Sequence, residues 1–249
     1  MRTCSLLNKL QINVVLGLFL SGLAAHAQMP GAGGPAGMTA AMAKLFGDIK
    51  GFSAKAETQV LDSSQKEMVK MPMDFAFLDG KMRVQIDMAQ MKSSSMPPGA
   101  IDQLKKMGMT QVTSVVRPDK KLAYVIYPES KVLMSLPLPK EEEAKVTKTA
   151  LGKETIDGHP CAKTKVVISD GKGQDVEATT WNASDLKDFP IQIRTQEKEN
   201  TSIIRFSNVQ LTKPDAKDFE PPSGYTQYNS PQELMQGMMS KMQEQGEKK

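Results

Sequence analysis

From Phe52 to Phe206, apolar residues return at every second position, in short runs cut by turn signals. A period of two puts alternate side chains on opposite sides of an extended chain, so each run buries one face and wets the other. The longest one-sided stripe is Val69, Met71, Met73, Phe75 and Phe77. Asp79-Gly80 follows, a pair suited to the positive φ angles of a two-residue hairpin turn. Met82, Val84, Ile86 and Met88 then return opposite the stripe. Upstream, Phe52, Ala54, Ala56, Thr58 and Val60 alternate before a turn at 62–65. Downstream, 111–116, 122–127 and 131–136 read as strands. So do 154–156 and the runs through Val166, Val176, Ile193 and Ile204. Short helices are expected at 38–46, with Gly47 as its stop, at 100–107, and from Pro231 onward. Strands and helices do not alternate as they do in a parallel α/β fold. The expected fold is mainly β: a curved antiparallel sheet or unclosed barrel of about ten strands, with short helices packed against its concave side.

Residues 1–27 have the pattern of a secretory leader. Arg2 and Lys9 are basic, 12–20 is an apolar core too short to span a bilayer, and Ala25-His26-Ala27 offers a small-x-small cleavage site. No cysteine stands where lipid attachment would need one. The expectation is an exported, periplasmic protein starting near Gln28. Residues 28–37 read as a flexible Gly/Pro/Ala tether, 38–228 as one β domain, and 229–249 as a Met-rich amphipathic tail.

Removing 27 of the 249 residues leaves 222, with one cysteine (Cys161) and one histidine (His159). No internal disulfide can then form, and the core alone must hold the fold. The formal charge of +4 includes two leader residues, so the mature chain carries +2. Its lysines are interspersed with acids, which argues against a nucleic-acid footprint.

The second half carries a recognisable set of strand ends and turns. Gly152-x-Glu154-x-Ile156-x-Gly158 opens a strand that turns at Asp170-Gly171. The next strand ends in Trp181, the loop from Asp185 to Pro190 leads into Ile191, and Phe219-x-Pro221-Pro222-x-Gly224-Tyr225 closes the pattern. This resembles exported bacterial proteins of the lipoprotein-carrier-like fold, the group containing the LolA, LppX and LprG types. It is similar more closely to an uncharacterised bacterial periplasmic family in or beside that group. The likeness covers about residues 45 to 228. It implies an unclosed barrel of antiparallel strands around short helices, with an apolar cavity for acyl chains.

Catalytic groupings are sparse. His159 and Cys161 are separated by one proline, and a Cys/His pair needs the ring nitrogen within hydrogen-bond reach of sulfur. One histidine and one cysteine do not make a zinc site. Ser63-x-x-Lys66 falls in a turn rather than at a helix start. No cofactor is expected, and no enzyme activity. The expected function is that of a soluble exported binding or carrier protein for an acyl chain or other hydrophobic ligand. The expected wall is Met71, Met73, Phe75, Phe77, Met82, Val84, Ile86 and Met88, with Tyr124 and Ile126 as further members. Two alternatives stand beside it. Thioethers suit Cu(I), and Met235, Met238, Met239 and Met242 have ligand-like spacing on the tail. A non-catalytic envelope module with a protein partner is the other.

Overall fold

The computed structural model describes residues 43–138, 145–169, 175–197 and 200–247; the side chains of 197 and 241–247 lie outside that description. The expected leader, tether and turn at 170–173 also fall outside it. Thirteen strands form one sheet: β1 (Gly51–Leu61), β2 (Glu67–Leu78), β3 (Lys81–Asp87), β4 (Lys92–Ser93), β5 (Gln111–Arg117), β6 (Leu122–Tyr127), β7 (Val132–Pro137), β8 (Lys145–Ile156), β9 (His159–Ser169), β10 (Asp175–Ala183), β11 (Phe189–Glu197), β12 (Asn200–Gln210) and β13 (Thr226–Tyr228). Their order is β13-β7-β6-β5-β3-β2-β1-β12-β11-β10-β9-β8, with β4 beside β2. Neighbours are antiparallel except for β13 against β7, which are parallel. The sheet is therefore two meanders joined through β1 and β12, rather than one continuous meander. The strands beyond the expected set are the very short β4 and β13.

Chain length forces this sheet to curl. β7 and β8 are ten strand spacings apart in the sheet order, roughly 48 Å if flat at ~4.8 Å per spacing. The chain covers that interval between Pro137 and Lys145, eight steps that reach at most about 29 Å. A flat sheet cannot satisfy both, so the two meanders bend toward each other and leave an open barrel. The face enclosed by the curl is the inner face.

The turns follow the local chemistry. Asp79 and Gly80 have φ of 48° and 85°, as a primed hairpin turn requires. At 62–65 the Asp62 Oδ1 accepts from the backbone N–H groups of Ser64 and Lys66. Gly47 stops the first helix at φ 58°, and α1 spans Ala100–Lys106. α2 spans Pro231–Glu247. Ser230 Oγ accepts from the Glu233 N–H, and Glu233 reaches back to the Asn229 N–H, a reciprocal cap.

β8 is a long strand where only 154–156 were expected. Its residues are nearly all exposed, so it has no apolar stripe to reveal it. It forms one edge of the sheet. Its lysines and the irregularity at Gly152 (φ 128°) are features that discourage further pairing at a free edge.

On the outer face a short 3₁₀ turn, Ala216–Phe219, is pinned to the sheet. Phe219 is fully buried among Leu78, Val115, Tyr124, Ile126 and Leu133. Arg117, itself buried, donates to Asp119 through Nε (2.8 Å) and Nη2 (2.7 Å). Its Nη1 donates to the Phe219 carbonyl at 3.1 Å and to Glu220. Lys120 adds a bond to Glu220 at 2.8 Å. The hydrogen bonds from Arg117 hold the Asp119 carboxyl at about 2, and Lys120 and then Arg117 lower that of Glu220. Both carboxylates are depressed in the folded state. Their contribution is complete above about pH 5, beyond the ordinary carboxylate range, and is lost progressively as pH falls below it. Because both are about half exposed, the effect is modest. In urea unfolding, the stability gap between wild type and Arg117→Met should narrow steadily from about pH 5 to pH 2. A gap that does not change with pH would contradict the linkage.

Candidate functional site

Directly paired residues on neighbouring strands point to the same side, so the register assigns the faces. One inner row runs Phe52, Phe77, Met82, Val116, Ala123, Leu136. The next runs Ala54, Phe75, Val84, Ser114, Val125, Met134. A third runs Ala56, Met73, Ile86, Val112, and the pair Tyr127 and Val132 lies on the same side, one residue beyond Ile126.

Two apolar bodies sit on this face. The first is centred on Phe46, just after the opening helical turn. Its ring lies 4.7–6.0 Å from those of Phe52, Phe75, Phe77, Phe189 and Phe206, within the contact range of aromatic pairs. The second is built by α1 and α2, whose Leu104, Leu234 and Met238 cover Val125, Tyr127, Val132 and Met134. Between them runs a strip that neither body fully covers. Met71, Val84 and Ile86 are half-buried at the border of the first, and Met88, Val112, Ile101, Met107 and Leu136 at that of the second.

The expected wall residues separate accordingly. Met73, Phe75, Phe77 and Met82 are buried under the Phe46 body. Met71, Val84 and Ile86 line the strip. Met88 lies past the end of β3, on a 3₁₀ turn capped by Asp87, and still borders the strip. Tyr124 and Ile126 point outward and pack beneath Phe219, so the register separates them from the other eight. Val112, Leu136, Ile101 and Met107 join the strip from β5, β7 and the α1 segment.

Polar groups on the inner face are few. The Ser114 and Thr58 hydroxyls are buried and have no hydrogen-bond partner among the described groups. Burial pushes the Tyr127 phenol up to about 12, so it stays neutral and the face carries no charge there.

His159 and Cys161 do not form a nucleophile pair. His159 Nδ1 is bonded to Asp185 at 2.7 Å, and the Cys161 thiol donates to the His159 backbone carbonyl at 3.3 Å. Burial raises the thiol pKa, which opposes thiolate chemistry. Among the described residues no group of three His, Cys, Asp or Glu could hold a metal ion. Of the tail methionines, Met238 is buried against the sheet while Met235 and Met239 are half-buried. Met242 lies outside the described side chains.

α2 docks through a close approach. A Cβ on Gly237 would lie 2.2 Å from the Tyr228 Oη and 2.6 Å from its ring carbons. In a free helix Gly→Ala is favourable by about 1 kcal/mol. Here overpacking, worth about 1–3 kcal/mol, opposes it. Gly237→Ala is therefore expected to keep or raise helical circular dichroism while making 231–247 more susceptible to limited proteolysis. Unchanged or slower cleavage would contradict this docking.

No family model matches the sequence, and no curated protein matches it. Several solved structures are similar in fold. A LolA superfamily protein from Nitrosomonas europaea is 10% identical with TM-score 0.38, covering 74% of this chain and 97% of that one. The lipoprotein LppX from Mycobacterium tuberculosis is 11% identical with TM-score 0.37, covering 67% and 90%. A putative outer membrane lipoprotein-sorting protein domain from Vibrio parahaemolyticus is 9% identical with TM-score 0.36, covering 72% and 92%. At these values the likeness is one of fold.

Proposed function

We propose that this chain is a non-enzymatic, exported binding or carrier protein that holds an acyl chain or similar hydrophobic ligand on the inner face of its open sheet. The observation carrying this reading is the half-buried apolar strip between the Phe46 body and the two helices. Its core is Met71, Val84, Ile86 and Val112. An uncharged strip in a concave face suits an alkyl chain, and its methionines adapt to varied shapes. Burying about fourteen methylenes gives roughly 11 kcal/mol at ~0.8 each. A minimum association cost of about 4 kcal/mol leaves roughly 7, a dissociation constant near 10 µM.

A fluorescent polyene fatty acid tests the reading. Wild type should bind it saturably in the micromolar range. Ile86→Glu places a carboxylate where the chain must lie, and should weaken binding at least tenfold, as the cost of desolvating a charge dictates. Melting curves would show that the variant is folded. Equal affinity in a folded Ile86→Glu protein would sink the placement, and no saturable uptake by wild type would sink the function.

A further inference from the structure

A separate recess lies on the outer face. Its floor is β1, β2 and β3, its wall is the chain from Asn208 to Asp218, and the open recess between them has a volume of about 870 Å³. That is within the range of small-molecule clefts, about 300–1,000 Å³. The wall is fixed at both ends. Lys213 pairs with Asp79 at 3.2 Å and packs so closely over Gly51 that a Cβ there would meet its Cγ at 2.9 Å. Beyond Asp218, the buried Phe219 and the Arg117 bonds hold the other end.

Two features mark this recess as more than a fold in the surface. Asn208 has φ 51° near the C-terminal end of β12, where the register shifts between Ser53 and Lys55. Asparagine adopts the left-handed region more readily than most residues, and a bulge of this kind re-aims the side chain it carries. The bulge places Asn208 on the cleft wall. The second feature is Arg83. Its neighbours Lys55, Lys213 and Arg117 each pair with a carboxylate. Arg83 is half-buried, and among the described residues its guanidinium donates to the amide oxygen of Gln85 at 3.1 Å and pairs with no carboxylate. Arg83 and Asp218 together line this cleft and a smaller one of about 220 Å³ across the 3₁₀ turn.

We infer that the outer cleft is a binding site for a small zwitterion of the amino-acid or short-peptide class. Its carboxylate lies on Arg83 and its ammonium faces Asp218. A guanidinium fork matches a planar carboxylate in a bidentate pair. With Lys55 and Asp74 neutralising each other, the cleft offers one cation and one anion, which disfavours a multiply charged anion. Asn208 and the other neutral polar groups suit peptide amides.

The test is a titration of the isotopically labelled protein with the tripeptide Ala-Ala-Ala, followed by amide NMR. The shifts should saturate in the millimolar range at Ser53, Arg83, Asn208 and Thr212. The C-terminal amide of the same peptide should bind at least tenfold more weakly, and so should wild-type peptide to Arg83→Gln. Inorganic phosphate should not saturate the same signals. Absence of saturable shifts would overturn the inference, as would equal affinity for peptide and amide, or phosphate binding as tight as the peptide. If Arg83→Gln does not fold, the peptide–amide comparison on wild type decides alone. The inner-face ligand plays no part in this site, so the two readings fail independently.

Discussion

Phe46→Ala is expected to lower the unfolding free energy by about 3–5 kcal/mol, the usual loss for a buried phenylalanine. Phe46 is 2% exposed and touches rings from β1, β2, β11 and β12. Those strands belong to the two meanders on either side of the β1–β12 junction. One side chain thus ties both halves of the curl together. Its removal leaves a hole lined by Phe52, Phe75 and Phe189, which cannot collapse without flattening the sheet. Urea unfolding should show the midpoint fall with little change in the slope. A loss under about 1 kcal/mol would mean that the opening helical turn sits loosely on the barrel. An altered affinity for fatty acid should accompany the stability loss, because the hole adjoins the strip.

Phe219→Ala, on the other side of the sheet, should cost about 3 kcal/mol or more. The residue is fully buried, and the 3₁₀ turn that presents it also receives the bond from Arg117. Losing the ring frees the outer strap, exposes Val115 and Tyr124, and removes one wall of the outer cleft. The two substitutions should differ in function while matching in stability. At a temperature where it is folded, Phe219→Ala should bind the fatty acid within about a factor of two of wild type, since the strip lies across the sheet from it. Weakening of both ligands together would show that the strap shapes the inner face as well.

The alternating stripes of β1, β2 and β3 could be read from the sequence because each has one covered face and one wet one. β6 could not be read the same way. Leu122–Tyr127 is apolar almost throughout and buried almost throughout, since α1 and α2 cover one side and Phe219 the other. Where both faces are covered, alternation loses its meaning, and Tyr124 and Ile126, expected on the inner wall, face outward instead. β8 failed for the opposite reason: both its faces are exposed, so no hydrophobic signal exists. The pairing of β1 with β12 joins residues about 150 positions apart, and no local pattern encodes such a contact. The apolar side chains that face inward on β2 and β3 were legible as a stripe. Which of them are fully buried and which only half-buried depends on where Phe46 and the helices settle.

The mass of the intact protein, isolated from its own source under native conditions without refolding, tests the central claim most directly. A carrier should retain a hydrophobic adduct that organic extraction removes and added fatty acid restores. A bare mass that stays bare after incubation with fatty acid would show that the inner face is a closed core.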